Sequence, residues 1–195
     1  MTIRHRHHLL AIAAACALAA CSTTAERSDT AAAPVEAAPA ATSTASSATV
    51  NLASASGSLV SGQLSIVPMG DGVHITGEIG GLGAGGTHAI HVHETGDCSA
   101  ADASSAGGHF NPTGSEHGRA GTPVHHAGDM DNLTANAEGV ADVNIHLAGV
   151  TLGGGATNDI AGRAMIVHAA PDDYVSQPAG NAGERVACGI ITPAM

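Results

Sequence analysis

The sequence contains no lysine and no tryptophan, and it has a single phenylalanine and a single tyrosine among 195 residues. Its six basic residues are all arginines and face seventeen acidic ones, so the formal net charge is −11. Nucleic-acid binding needs a basic surface that neutralises phosphates. The sequence therefore argues against a nucleic-acid partner, and its few aromatic residues predict a core built from Val, Ile, Leu and Ala.

The sequence also lacks a hydrophobic run long enough to cross a bilayer as a helix. Its mostly apolar stretch at residues 9–20 is short, follows a basic segment and ends in small residues, which predicts a secretory signal peptide over residues 1–20. Leu18-Ala19-Ala20-Cys21 resembles a bacterial lipobox, so we predict that a lipid on Cys21 anchors the chain to a membrane. Two alternatives stay open: Cys16 could be the acylated residue, or the signal could be a plain cleaved one.

The next segment, residues 21–48, is dominated by Ala, Ser, Thr and Pro and is too poor in apolar surface to fold alone. We interpret it as a lipidated tether, followed by a globular domain over residues 49–195. The expected location is the cell envelope, as a lipoprotein facing the periplasm. Ser22 after the cysteine is typical of outer-membrane lipoproteins.

Short segments of alternating polarity recur in the domain between glycine-rich turns, and no stretch has a sustained helical period. This pattern predicts an all-β fold, an antiparallel sandwich or barrel. The predicted strands cover residues 49–53, 63–67, 73–79, 88–93, 140–147, 163–168 and 185–191.

Seven residues of metal-ligand type are spread over the domain: His91, His93, His109, His117, His126, Asp129 and His168. Residues two apart in a strand point to the same face, so His91 and His93 could bind one ion. A solvated strand edge is the alternative for this pair alone. Imidazole suits copper and zinc, and a histidine set with one aspartate is typical of a tetrahedral zinc site. The sequence therefore predicts two metal sites, one of copper and one of zinc.

Cys98 and Cys188 remain once the N-terminal cysteines are assigned to the signal region. An exported protein meets an oxidising compartment, which favours a disulfide between them over two free thiols. Long metal-binding loops are expected, because residues 96–132 show no strand pattern and need metal and a disulfide to fix them.

The segments HAIHVHETGDC, SAGGHFNP, HHAGDM, GVADVNI, GRAMIVHA and GNAGERVACGII resemble the bacterial copper-zinc superoxide dismutase family along essentially the whole domain. The resemblance implies an eight-stranded antiparallel Greek-key sandwich or barrel and the dismutation of superoxide to oxygen and hydrogen peroxide. It implies copper at His91, His93, His109 and His168, and zinc at His109, His117, His126 and Asp129. It also matches Cys98 and Cys188 to the family's disulfide.

Two catalytic roles follow from the same resemblance: His109 as a bridging ligand and proton carrier, and Arg185 as the residue that guides superoxide to copper. An ordinary ion pair between Arg185 and Glu184 or another acid is the alternative. Asp172 matches a carboxylate behind the ligands that links a copper histidine to a zinc histidine, with Asp173 as its competitor.

Two further questions stay open at this stage. The family's bacterial members occur as monomers and dimers, so the sequence leaves a homodimer open. Two other functions also stay open: a copper-binding envelope protein that buffers metal without turnover, and an adhesion module whose metals only stabilise its structure.

Overall fold

A computed structural model describes residues 42–194, and within this range the protein consists of ten β-strands and one short 3-10 helix at Ser104–Ala106. No helix in this part of the chain is long and apolar enough to span a membrane. The predicted signal peptide, Cys21 and most of the predicted tether lie outside the described residues. The strands are β1 (Ala48–Ser54), β2 (Ser61–Met69), β3 (Gly72–Gly80), β4 (Thr87–His88), β5 (Ile90–His93), β6 (Leu133–Thr134), β7 (Ala141–Ala148), β8 (Ala164–His168), β9 (Arg185–Ile190) and β10 (Thr192–Pro193).

Eight of these strands form one antiparallel sheet in the order β5-β8-β9-β1-β2-β3-β7, with β10 beside β1. Strand β1 pairs with β2 through Ala48 to Leu52 and with β9 through Ala53 and Ser54, so the sheet curls around it into a half-barrel. The pairs β3·β7, β5·β8 and β1·β9 join strands that are distant in sequence, which is the crossover pattern of a Greek key. The all-β, eight-stranded prediction is confirmed.

Alternating polarity places the core residues of each strand. In β1, Ala48, Val50 and Leu52 are buried and the residues between them are exposed. Strand β5 differs, since all four of its residues are buried: Ile90 and Val92 join the hydrophobic core while His91 and His93 lie on the opposite face. The core consists mainly of aliphatic side chains, as the composition predicted, together with Met130, Met165 and Phe110.

One predicted strand is divided in the structure. Residues 88–93 form two strands, because His88 pairs with Leu133 in a separate two-stranded sheet, whereas Ile90 pairs with Val167 in the main sheet. The change of partner occurs at Ala89, whose backbone bonds Ala170 and His168 instead. The strand pattern does not encode this change, because both partners are distant in sequence.

Residues just before the predicted boundary between residues 48 and 49 contact the domain. Thr44 and Ala45 donate backbone hydrogen bonds to the carbonyl of Leu152. The hydroxyl of Ser43 accepts a hydrogen bond from the N–H of Leu152. These contacts tie the last residues of the predicted tether to the domain. Polar and small residues gave no pattern from which such main-chain contacts could be predicted.

Candidate metal centre

The regular strands supply three of the seven predicted ligands. Strand β5 carries His91 and His93, and its neighbour β8 carries His168, with His91 paired to Ile166. The remaining four lie in the first loop, residues 94–132, which connects β5 to β6. Two isolated backbone bridges bring this loop to β5: His93 pairs with His109, and His91 pairs with Asp129. The loop thus follows the strand, and its ligands lie beside those of the strand.

The first cluster contains four buried histidines, and their facing nitrogens all lie within 4.8 Å of one another. Among the side-chain atoms of the described residues, the buried nitrogens without a hydrogen-bond partner include one from each ring: His91 Nδ1, His93 Nε2, His109 Nε2 and His168 Nε2. Buried polar atoms without a partner are costly. Four convergent imidazole nitrogens of this kind fit a copper ion.

In three of these histidines the second ring nitrogen faces a hydrogen-bond acceptor. Nε2 of His91 donates to Oδ2 of Asp172 at 2.8 Å, Nδ1 of His93 donates to the Gly107 carbonyl at 3.0 Å, and Nδ1 of His168 faces the Gly183 carbonyl at 3.4 Å. Such partners fix the tautomer and the ring orientation of a ligand. Each ring therefore turns its free nitrogen toward the centre of the cluster.

The second cluster combines three histidines with one buried aspartate. Oδ1 of Asp129 lies 2.8 Å from Nδ1 of His109, 3.1 Å from Nδ1 of His117 and 3.4 Å from Nδ1 of His126. Its other oxygen, Oδ2, accepts hydrogen bonds from the backbone N–H groups of His126 and Gly118. Three imidazoles and one oriented carboxylate oxygen form the closed four-ligand set that fits zinc.

His109 belongs to both clusters. Its Nδ1 lies beside Asp129 in the second cluster, while its Nε2 is unpartnered among the rings of the first. The ring centroid of His109 is 4.0 Å from that of His91 and 5.4 Å from that of His126. One imidazole is therefore placed to contact two ions through its two nitrogens.

Burial keeps three histidines of the first cluster, His91, His93 and His168, neutral and ready to coordinate. It lowers the pKa of His91 to about 4 against the opposing hydrogen bond to Asp172, that of His168 to about 3 and that of His93 to about 2. Burial alone would raise the pKa of Asp129, but hydrogen bonds from His109 and from two backbone N–H groups lower it overall. At neutral pH the carboxylate is charged and these histidines are deprotonated at the nitrogen that faces the cluster.

Asp172 joins the two clusters from behind. Besides His91, it accepts a hydrogen bond from Nε2 of His117 at Oδ1, at 2.9 Å. Both rings thereby direct an unpartnered Nδ1 toward their own clusters. Asp172 is 3 % exposed, whereas its competitor Asp173 is exposed and accepts bonds from Val175 and Ser176 within its own turn.

Arg185 lies beside the first cluster. Its Nη1 and Nη2 donate to the carbonyls of Ala103 and Gly107 at 2.8 and 2.7 Å. Among the described residues, the one ion pair formed by an arginine joins Arg119 and Asp131. Arg185 is half-buried and held by main-chain oxygens, so its charge is not neutralised by a directly bound carboxylate.

A disulfide between Cys98 and Cys188, with a Cα–Cα distance of 5.8 Å, links the first loop to β9, which begins at Arg185. This confirms the predicted pairing. The bond packs in a small cluster with Ala103, Ala106 and Ile166, close to the carbonyls that hold Arg185.

Sequence reasoning missed several groups that support the site, among them Asn132 and Gln177, which bind the main chain of Asp172 and His117. No pattern identifies them, because an isolated amide side chain carries no spacing signal. The remaining described histidines lie outside both clusters: His88 bonds the His168 carbonyl, and His74, His125 and His146 bond surface groups.

Comparisons with known proteins agree with this geometry. Residues 60–191 match the family model described as copper/zinc superoxide dismutase (SODC). Superoxide dismutase (Cu-Zn) 2 of Aquifex aeolicus (strain VF5) is 41% identical over 135 residues, which cover 68% of this chain and 79% of that protein. Superoxide dismutase (Cu-Zn) 1 of the same strain is 40% identical over 133 residues, which cover 67% and 79%.

Solved structures show the same likeness. A double mutant of a SOD-like protein from Bacillus subtilis superposes with a TM-score of 0.67 at 37% identity, covering 74% of this chain and 96% of that one. The SOD-like protein without the mutations gives 0.66 at 36% identity, with 73% and 97% covered.

Proposed function

Because the chain belongs to the copper/zinc superoxide dismutase family, which dismutes superoxide with copper and zinc, we propose a division of the two metals between the clusters. Copper is held by the all-histidine cluster and zinc by the cluster that contains Asp129. The copper ligands are His91, His93, His109 and His168, and the zinc ligands are His109, His117, His126 and Asp129.

The observation that carries this proposal is the position of the His109 ring. Its two nitrogens belong to clusters of different composition, one with imidazoles alone and one with a carboxylate. Imidazole nitrogens suit an ion that cycles between two oxidation states, whereas a closed set with a carboxylate suits a structural zinc. A single ring between them supports a site in which only one of the ions reacts.

The residues have distinct tasks in the reaction, in which two superoxide ions and two protons become oxygen and hydrogen peroxide. Bound copper supplies the one-electron redox couple. Arg185 attracts and orients the superoxide anion through its permanent positive charge. His109 is the proposed proton carrier: its Nε2, which points into the first cluster, would take up a proton only when it does not hold copper, while its Nδ1 stays beside Asp129.

Metal analysis of two single variants tests the division of metals. We expect His93→Ala to lose copper and keep zinc, and His126→Ala to lose zinc and keep copper, because each residue belongs to one cluster only. The wild-type protein loaded with both metals should dismute superoxide in the presence of a chelator that suppresses catalysis by free copper. Loss of both metals from both variants in equal measure would contradict the division, and bound copper without turnover would favour metal buffering.

We further propose that the protein is a lipoprotein of the cell envelope, anchored through Cys21 and facing the periplasm on the outer membrane. The support is the basic and apolar N-terminal segment that ends in Leu18-Ala19-Ala20-Cys21, followed by Ser22. Cys21→Ser should abolish incorporation of labelled palmitate and release the protein from the membrane fraction. Cys16→Ser is the matched control and should retain the label; the opposite result would assign the lipid to Cys16.

A further inference from the structure

Two side-chain amides connect the loops that surround the second cluster. Nδ2 of Asn132, at the end of the first loop, donates to the Asp172 carbonyl at 2.9 Å, and its Oδ1 accepts from the Asp172 N–H at 2.8 Å. Asp172 lies in the second loop, residues 169–184, which connects β8 to β9. The amide of Asn132 therefore bonds both main-chain groups of one residue, as a neighbouring strand would.

Gln177 makes the same contact in the opposite direction. Its Oε1 accepts from the N–H of His117 at 2.8 Å, and its Nε2 donates to the His117 carbonyl at 2.9 Å. Gln177 lies in the second loop and His117 in the first. Each loop thus contributes one amide that holds a residue of the other loop.

The two residues that are held this way also bind each other. Nε2 of His117 donates to Oδ1 of Asp172, whose second oxygen accepts from His91. Three contacts between the loops therefore act on one pair of side chains. Neither loop has regular strand pairing around these residues, so their main-chain groups depend on side chains for hydrogen bonds.

We propose that Asn132 and Gln177 are positioning residues that hold the Asp172 carboxylate across the two metal clusters. Asn132 fixes the main chain of Asp172, and Gln177 fixes the main chain of His117. The two loops therefore hold the Asp172 carboxylate and the His117 ring in position for their hydrogen bond. Through Asp172 the same contacts orient His91 in the other cluster. This inference rests on the proposed assignment of the metals.

The expected consequence is a coupled effect on both metals from residues that bind neither. Loss of a partner behind a metal ligand typically lowers metal affinity by roughly 10–100-fold. We expect losses of this size in zinc affinity when either amide is removed. Because His91 is oriented by the same carboxylate, the Cu(II) electron paramagnetic resonance spectrum should change as well.

The test compares Gln177→Met and Asn132→Leu, which remove both hydrogen bonds while keeping side-chain size, with Asn136→Ala. Asn136 also bonds two backbone N–H groups, of Glu138 and Val140, but it lies in a turn outside the metal loops. This control therefore reports a general loss of stability. Gln177 is exposed, so its variant is expected to fold, which circular dichroism will show.

Zinc dissociation constants come from competition with a chromophoric chelator, and the copper spectrum is recorded with zinc present. The proposal expects both measurements to change in the Gln177 and Asn132 variants and neither to change in the Asn136 variant. Zinc affinity within twofold of wild type in both variants would overturn it, as would an equal change in the control. Failure of the wild type to bind the two metals would instead overturn the proposed function.

Discussion

Arg185 and His93 share one hydrogen-bond acceptor, the carbonyl oxygen of Gly107, at 2.7 Å from Nη2 and 3.0 Å from Nδ1. The carbonyl holds the guanidinium beside the first cluster and also keeps a hydrogen on Nδ1 of His93, which leaves Nε2 for the metal. Gly107 has a φ of +74°, and a Cβ there would lie 2.6 Å from Oε1 of Glu94. The positive φ favours glycine at this position, and an added Cβ would also require the exposed Glu94 side chain to move.

Removal of the Arg185 charge is predicted to slow superoxide capture without loss of metal. Copper/zinc superoxide dismutases are themselves a reference case of electrostatic steering, and steering of this kind raises association rates by about 10-fold or more. In Arg185→Met we therefore expect kcat/KM at low salt to fall by roughly tenfold and its salt dependence to weaken. The measurement is pulse radiolysis with metal analysis of the same samples.

Arg119→Met is the matched control, because it removes an equal charge from an exposed residue paired with Asp131. Its kcat/KM should stay close to that of the wild type. An Arg185 variant with unchanged turnover at low salt would remove this residue from the mechanism.

The strand pattern predicted most of the fold because alternation of polarity reports directly on which residues face the core. The seven predicted strands all correspond to observed strands, with residues 88–93 divided in two. The sequence could not predict β6 and β10, because each has two residues and is formed by its partner rather than by a pattern of its own. The attachment of residues 43–45 depends on hydrogen bonds with the main chain of Leu152, made by the Ser43 hydroxyl and by the backbone N–H groups of Thr44 and Ala45, and such contacts follow no pattern of alternating polarity.

The seven metal-ligand residues could be identified by type and spacing, and the structure brings all seven together. The groups that orient them could not be identified from residues alone, since backbone carbonyls such as those of Gly107 and Gly183 are present at every position. Asp172 and Arg185 were identified through resemblance to a family. Asn132 and Gln177 had no such signal, because their function depends on the mutual approach of two loops.

Gly180 is predicted to be required for the contact between Asp172 and His117. Its φ is +65°, and a Cβ there would overlap Oδ1 of Asp172 and lie 2.8 Å from Nε2 of His117. In Gly180→Ala the carboxylate must move away from the ring, so zinc affinity should fall by roughly tenfold or more. Chelator competition measures this change.

Gly85→Ala separates that clash from backbone strain. Gly85 has a φ of +68° and nothing within 4 Å of its added Cβ, so the substitution carries a similar conformational cost without a contact at the site. It should lower stability and leave zinc affinity unchanged. An equal fall in zinc affinity in Gly85→Ala and Gly180→Ala would show that Gly180 acts through backbone strain alone.

The disulfide is predicted to stabilise the folded protein and to keep the first loop near Arg185. It spans a sequence separation of 90 residues, for which the chain-entropy model gives roughly 4 to 5 kcal/mol. The double variant Cys98→Ala and Cys188→Ala should therefore lose about 4 kcal/mol in the free energy of unfolding, measured with urea on the metal-free protein. A loss below about 1 kcal/mol would mean that strain or residual structure offsets the entropic gain.

Metal removal is predicted to loosen the first loop more than the sheet. The N–H groups of Gly118 and His126 both bond Oδ2 of Asp129, whose other oxygen faces the zinc cluster. After chelation these amides should exchange with deuterium at least about tenfold faster, because their acceptor loses its fixed position. Amides of Ile75 and Ile145, paired between β3 and β7, serve as the internal control.

Addition of zinc alone should restore the slow exchange of the loop amides, since Asp129 belongs to the zinc cluster. Restoration by copper alone would contradict the assignment. Equal acceleration in β3 and in the loop would show that the metals stabilise the whole domain.

The metal-free protein is predicted to lose stability as the pH falls from 6.5 to about 4. Burial lowers the pKa of His91 to about 4, that of His168 to about 3 and that of His93 to about 2, against an ordinary value of 6.5. Between these values the unfolded chain binds protons that the folded chain does not, so unfolding is favoured by acid. Each histidine contributes up to about 1.4 kcal/mol per pH unit in this range.

The measurement is urea unfolding of the chelated protein at pH 7, 6 and 5, with wild type compared to His93→Gln. The variant removes one of the three buried imidazoles, so its free energy of unfolding should depend less steeply on pH than that of the wild type. The zinc- and copper-loaded protein should be more stable than the metal-free protein at each of these pH values, because the ions stabilise the folded state. It should also lose stability as the pH falls, because protons compete with the ions for the same nitrogens. A metal-free wild type whose stability is constant from pH 7 to pH 5 would show that these histidines are protonated in the folded chain, and that burial does not prepare the cluster for metal.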